Sequence, residues 1–235
     1  MKKTIILSIL LSLSLNASEK TRDYFSENLN VDDGHQAFVE NKYEKSKEIW
    51  TKLCNENDGK SCTNLAWLLD NGLGVEVDKQ EAIKLYKKGC ELGSAEGCSN
   101  IATMYFKGEV VEMDFEKAFK YYEKACELNH PLSCAQVGYM YEFGDGVETN
   151  IHKTFEYYDK SCQLGYGEGC TNLGALYANG NGVKIDIEKA SEYFAKGCDL
   201  GHEQGCKYET QLKELKLKGE IKSNGQNRRN RKSKF

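Results

Sequence analysis

Apolar residues in the stretch "CTNLAWLLDNGLGVEVDKQEAIKLYKKG" recur at helical spacing. Cys62, Leu65, Ala66 and Leu69 fall at i, i+3, i+4 and i+7, on one face of a first helix. Gly72 stops that helix, because glycine enters the left-handed region without a β-carbon penalty. Asp78 then offers a side-chain oxygen to the free amides of a second helix, and Glu81 three residues on predicts a capping box. Ala82 and Tyr86 form the inward stripe of this second helix. The same arrangement returns with Gly108, Asp114, Ala118 and Tyr122, with Gly144, Asn150, Thr154 and Tyr158, and with Gly180, Asp186, Ala190 and Phe194. Gly93, Asn129, Gly165 and Gly201 end the second helices, and Pro131 falls in the first turn of a following one, where its missing amide hydrogen costs little.

The period is 36 residues, which predicts an all-α solenoid of helical hairpins, since one hairpin cannot cover its own apolar stripe. The solenoid is expected over 31–206 as about five units. The first is degenerate, with Trp50 where later units have Tyr86 and Tyr122. A charged capping helix is expected over 207–220, with a polar outer face. Over 221–235 only basic charges occur, among them Lys222, Arg228, Arg229, Arg231, Lys232 and Lys234, and a solvated, disordered tail is expected.

Cysteine keeps the same period. Cys54, Cys90, Cys126, Cys162 and Cys198 are spaced by 36, and Cys62, Cys98, Cys134, Cys170 and Cys206 follow each by eight. Translational symmetry leaves two regular disulfide schemes, Cys54 to Cys62 repeated or Cys62 to Cys90 repeated. The first leaves no orphan thiol and is the expected one. Zinc is the competing use of paired cysteines, but seven intervening residues are too many for the usual ligand spacing, and no metal or other cofactor is expected.

Disulfides imply an oxidising compartment, and residues 1–17 agree. Lys2 and Lys3 precede an apolar run from Ile5 to Leu15 and small residues at Ala17 and Ser18, the layout of a cleavable secretory signal. The run is shorter than the roughly 20 residues of a membrane span. A secreted or periplasmic monomer with no transmembrane segment after cleavage is therefore expected. Its formal net charge of −4 argues against nucleic-acid partners.

The segments "GDGVETNIHKTFEYYDKSCQLG" and "GNGVKIDIEKASEYFAKGCDLG" resemble the Sel1-like repeat, a relative of the tetratricopeptide hairpin. With the added cysteine pair the chain is similar to the Helicobacter cysteine-rich proteins over roughly residues 35 to 210. It departs from the pattern at Val110, which replaces the second loop glycine found at Gly74, Gly146 and Gly182. The resemblance implies a right-handed superhelix and binding of a β-lactam or a peptidoglycan-derived muramyl ligand. It also implies slow β-lactamase, hence hydrolase, activity of the kind tied to antibiotic resistance and penicillin-binding proteins.

Catalytic motifs for that chemistry are missing: no serine stands three residues before a lysine, and neither Ser-Asp-Asn nor Lys-Thr-Gly occurs. His35, His130, His152 and His202 are too dispersed for a zinc centre and read as loop or helix-start surface residues. A second periodic face of the first helices is the candidate ligand groove. Asn64, Trp67 and Asn71 lie about 140–200° round the helix from Cys62. Equivalent sets are Asn100, Thr103 and Lys107; Gln136, Tyr139 and Phe143; and Asn172, Ala175 and Asn179. Amides beside aromatics can hold backbone groups, with the Lys107 and Tyr139 region expected to meet a carboxylate. Bracing of the adjacent repeat is the competing use of these amides. The alternative function is a non-catalytic scaffold holding an extended peptide of a host or envelope protein in the concave groove.

Overall fold

Every 36 residues the computed structural model, which describes residues 29–219, repeats one antiparallel helical hairpin. The hairpins are α1 (Val31–Val39) with α2 (Tyr43–Asn55), α3 (Gly59–Asn71) with α4 (Lys79–Glu91), α5 (Ala95–Lys107) with α6 (Phe115–Glu127), α7 (Pro131–Phe143) with α8 (Ile151–Gln163), and α9 (Gly167–Asn179) with α10 (Ile187–Asp199). A last helix, α11 (Glu203–Leu217), closes the array. Among the described residues there is no strand, and helices touch chiefly their neighbours in sequence, the arrangement of a solenoid. The signal-like segment 1–17 and the basic segment 221–235 lie outside the described residues.

The expected punctuation is in place. Gly72, Gly108, Gly144 and Gly180 are left-handed caps of the first helices. Asp78, Asp114, Asn150 and Asp186 each accept the amide three residues on. The capping box at Asp78 does not form, however, and the reason is competition for one hydrogen. Asp78 gives its backbone N–H to the Leu69 carbonyl at 2.9 Å, so Glu81 turns instead to Lys84 Nζ at 2.8 Å. The reciprocal box occurs at the start of α1, between Asn30 and Asp33.

Packing inside the hairpins follows the apolar stripe. Ala82, Tyr86, Ala118, Tyr122, Thr154, Tyr158, Ala190 and Phe194 are all buried, and Trp50 takes the same place in the first unit. Tyr158 keeps its hydroxyl satisfied by donating to Glu142 at 2.8 Å. Three stacked tyrosine pairs, Tyr105–Tyr121, Tyr141–Tyr157 and Tyr177–Tyr193, each join the two helices of one hairpin at 5.7–5.9 Å between ring centres. Lys117, Lys153 and Lys189 lie over the first ring of each pair at 4.9–5.3 Å, within cation–π range. Leu69 and Leu85 replace this ladder in the hairpin of α3 and α4.

Between hairpins the junction is covalent. Disulfides join Cys54 to Cys62, Cys90 to Cys98, Cys126 to Cys134, Cys162 to Cys170 and Cys198 to Cys206, with Cα–Cα distances of 4.5–4.7 Å. The turn between each pair passes through one left-handed residue, namely Asn57, Gly93, Asn129, Gly165 and Gly201. Lysines of the following second helix tie the junction from outside: Lys88 Nζ donates to the Cys54 carbonyl and Lys160 Nζ to that of Cys126, both at 2.8 Å.

A second junction device sits in the loops. Gly74, Gly146 and Gly182 have φ between 67° and 73° and press against the first residue of the preceding second helix, Tyr43, Phe115 and Ile151 respectively. A β-carbon on any of the three glycines would overlap that partner. These contacts act as latches between each loop and the hairpin before it.

Helix α11 repeats the register of a first helix but not its chemistry. Where earlier units have Leu65, Ile101, Val137 and Leu173 it has Glu209, and where they have Leu69, Tyr105, Tyr141 and Tyr177 it has Lys213. Leu212 is buried and Tyr208 packs on Phe194 at 5.1 Å, while Glu209 and Lys213 pair with each other at 2.6 Å. It starts before the expected boundary at 207, because Cys206 lies in its first turn.

Two measurements follow from this packing. A nine-residue disulfide loop restricts the unfolded chain by about 2.6 kcal/mol. The double variant Cys126→Ser/Cys134→Ser is therefore expected to lower the unfolding free energy by about 2–3 kcal/mol in urea, and an unchanged midpoint would mean the clip contributes nothing. Burial pushes the phenols of Tyr86 and Tyr158 upward, with the neighbouring Asp70 and Glu142 charges adding to it, and Tyr166 is raised to about 12 by burial and its bond to Glu168. Raised folded-state values mean that the stabilisation is complete below the unfolded tyrosine value of about 10 and is lost as pH climbs beyond it. In an alkaline titration part of the phenolate absorbance should appear only as helicity is lost. Full ionisation near pH 10 with helices intact would contradict the buried environment.

Candidate functional site

Facing outward from the first helices, the predicted groove residues stand in a row, but the structure gives them different duties. Asn64 is held by His35 of α1, with 3.2 Å between side-chain nitrogens, so it braces the preceding hairpin. His35 lies mid-helix against Trp50, not in a loop or at a helix start, whereas His130, His152 and His202 stand at helix starts as expected. Asn71 donates to the Trp67 carbonyl at 2.9 Å. Tyr139 and Phe143 pair with each other at 4.6 Å and remain 38% and 59% exposed, an apolar patch on α7. The Asn179 side-chain oxygen is buried with no hydrogen-bond partner among the described residues. No hydrogen bond among the described residues engages the side chains of Asn100, Gln136 or Asn172.

Five residues of the predicted face come together. Trp67, Asn71, Asn100 and Lys107, with Thr103, line a cleft of about 210 Å³ between the hairpin of α3 and α4 and the following one. Asn64, Gln136, Tyr139, Phe143, Asn172 and Asn179 are not among its walls. Lys107 therefore does not share a pocket with Tyr139, and its Nζ lies 3.6 Å from Glu109.

Sequence reasoning missed the other half of the lining: Asp70, Lys79, Tyr86, Met104, Glu109 and Val110. Its signal was nevertheless present in the loop register. Lys79 stands at the latch position occupied elsewhere by Tyr43, Phe115 and Ile151, and Val110 stands at the glycine position. Val110 lacks the positive φ of its three counterparts, so this loop follows another path. Replacement of both latch members accompanies an opening where the other junctions have a close contact.

The walls are of mixed chemistry. Tyr86 and Met104 are buried, and Trp67 is 40% exposed at the rim. Of the four charged side chains, Asp70 is the most shielded at 23% exposure, against 47% for Lys79, 55% for Lys107 and 56% for Glu109. Lys79 Nζ lies 4.0 Å from the Asp70 carboxylate, at the outer limit of an ion pair. Among the described residues no group of three or more His, Cys, Asp and Glu could hold a metal ion. No helix there is long and apolar enough to cross a membrane.

Comparison with known proteins agrees with the hairpin architecture. A crystallised Sel1 repeat protein of Oxalobacter formigenes superposes with a TM-score of 0.72 at 27% identity, over 77% of this chain and 74% of that one. The protective antigen c5321 of uropathogenic Escherichia coli, which displays an SLR fold, superposes with a TM-score of 0.69 at 30% identity, over 74% of this chain and 38% of that one. Helicobacter pylori cysteine-rich protein B is 29% identical over 62% of this chain and 98% of its own, with a TM-score of 0.46. No curated protein matches the chain. The Sel1 repeat profile matches residues 59–94, 95–130, 131–166 and 167–202, the four hairpins from α3 to α10. With more than half of its length in these four matches, the chain belongs to the Sel1 repeat family.

Proposed function

We propose that the chain is a protein-interaction scaffold whose first-helix face holds an extended segment of a partner. The observation that carries this reading is the row of unengaged amides, Asn100, Gln136 and Asn172, one on each of three successive hairpins, on a helix face that also exposes Trp67, Tyr139 and Phe143. An extended backbone presents carbonyl and amide groups at regular intervals, and side-chain amides can bond both. Trp67 at one end, and Tyr139 with Phe143 further along, offer large apolar surface on the same face, the kind of anchor that dominates peptide recognition. Membership of a repeat family that mediates protein–protein contacts supports the same reading. Five disulfides fit action in an oxidising compartment, as a signal over residues 1–17 would require.

The implied penicillin or muramyl ligand gains no support. The cleft lining contains no serine, and all ten cysteines are in disulfides, so neither a serine nor a cysteine nucleophile stands there.

Two experiments on the oxidised chain separate these readings. Panning a random dodecapeptide display library is expected to enrich peptides that bind the wild-type chain, with affinity about tenfold weaker, ~1.4 kcal/mol, in Trp67→Ala/Asn100→Ala. Titration with benzylpenicillin at millimolar concentration is expected to give neither saturable heat nor ring opening. Enrichment indifferent to the double variant, or saturable penicillin binding with turnover, would overturn the scaffold reading.

A further inference from the structure

We propose that the cleft opened by Val110 is a socket for one lysine or arginine side chain of the bound partner segment, with Asp70 as its counter-charge and Lys79 as the built-in occupant that the partner displaces. The inference rests on the scaffold reading above and assigns the chemistry of one position of the partner.

The walls fit the two halves of such a side chain. Trp67 provides exposed apolar surface for the methylene stem above a floor of buried Tyr86 and Met104, while Asp70, the most shielded charge in the cleft, receives the cationic head. Long basic side chains bury their stems in this way while keeping the charge paired. The remaining charges do not contradict this sign. Lys107 and Glu109, both more than half exposed, offset each other at the rim at 3.6 Å. Lys79 is the other positive group, and at 4.0 Å from Asp70 it makes only a long contact that water screens. It projects from the first turn of α4, where a cation is opposed by the positive end of the helix. A competing guanidinium or ammonium delivered from outside is not tethered to that first turn and can close to full hydrogen-bond distance on the carboxylate.

Other ligand chemistries fit less well. A carboxylate would meet Asp70 inside the cleft, and an apolar side chain would strip water from Asp70 without replacing its partner. Long-range electrostatics favour the same sign, because residues 29–219 carry 32 acidic side chains against 22 lysines and no arginine. The socket also belongs to one place in the stack. At the other loops Gly74, Gly146 and Gly182 are latched onto Tyr43, Phe115 and Ile151.

The test uses the full oxidised chain and the same dodecapeptide library, with the enriched peptides sequenced. One fixed lysine or arginine position is expected in the enriched set. It should be absent from a parallel selection on Asp70→Asn, whose melting point is checked against wild type. Replacing that basic residue by norleucine in an enriched peptide should weaken binding to wild type about tenfold and leave binding to Asp70→Asn unchanged. Lys79→Ala should bind the basic peptide several-fold more tightly, since the internal competitor is gone. Enriched peptides with no common basic position would overturn the socket and leave the scaffold standing, whereas no enrichment at all would overturn both. Enrichment that appears only after Arg228, Arg229 and Arg231 are changed to glutamine would mean that the chain's own basic segment fills the cleft. A wild-type mass of two chains that falls to one in Asp70→Asn would place a second copy there. Either result would overturn the proposal.

Discussion

Each hairpin in this chain exposes apolar surface on two sides, so its neighbours must be held in register before any of that surface is shielded. The cysteine junction does this over eight residues of sequence, with one left-handed residue between the two sulfurs. Burial of Tyr86, Tyr158 and Phe194 and alignment of the outward amides both presuppose that register. The lysines that reach back to the Cys54 and Cys126 carbonyls act on the same joint. Local closure of this kind suits a chain whose contacts are mostly between consecutive helices, because each step of assembly requires little loop entropy.

Periodicity made most of the fold legible in the sequence. The helix ends at Gly72 and Gly108, the caps at Asp78 and Asp114, the sulfur pairing and the aromatic stripe could be read because each was repeated at fixed spacing. The Glu81 side chain was misread because a capping box assumes a free amide, and a tertiary carbonyl, that of Leu69, had already taken it. The lysine-over-tyrosine ladder was also missed, although Tyr105, Tyr141 and Tyr177 share the period; residue spacing along one helix does not reveal which ring of the preceding helix lies beneath a cation.

The candidate site was half legible for the same reason. Trp67, Asn71, Asn100 and Lys107 lie on a repeating face and were found by projecting the helix. Asp70, Lys79 and Val110 are departures from the repeat, and a method that looks for recurrence passes over them. Yet functional positions are where a repeat protein is expected to break its own rule, since a surface built of identical units offers no unique address to a partner. Val110 had stood out as an irregular loop residue. Its meaning required the partner position, Lys79, and only a folded junction puts those two side by side.

Because all the left-handed residues between hairpins stand 36 positions apart and every sulfur clip spans the same short arc, the covalent joint of any junction is interchangeable with that of any other, whatever side chains surround it. A hairpin could be duplicated or excised at Gly165 without redrawing a single clip, whereas a cut at Gly93 would divide the cleft lined by Lys79 and Val110. Length is thus a separable variable in this architecture, and the reach of its partner-facing surface can grow or shrink through genetic unequal crossing-over while the chemistry at each joint stays fixed.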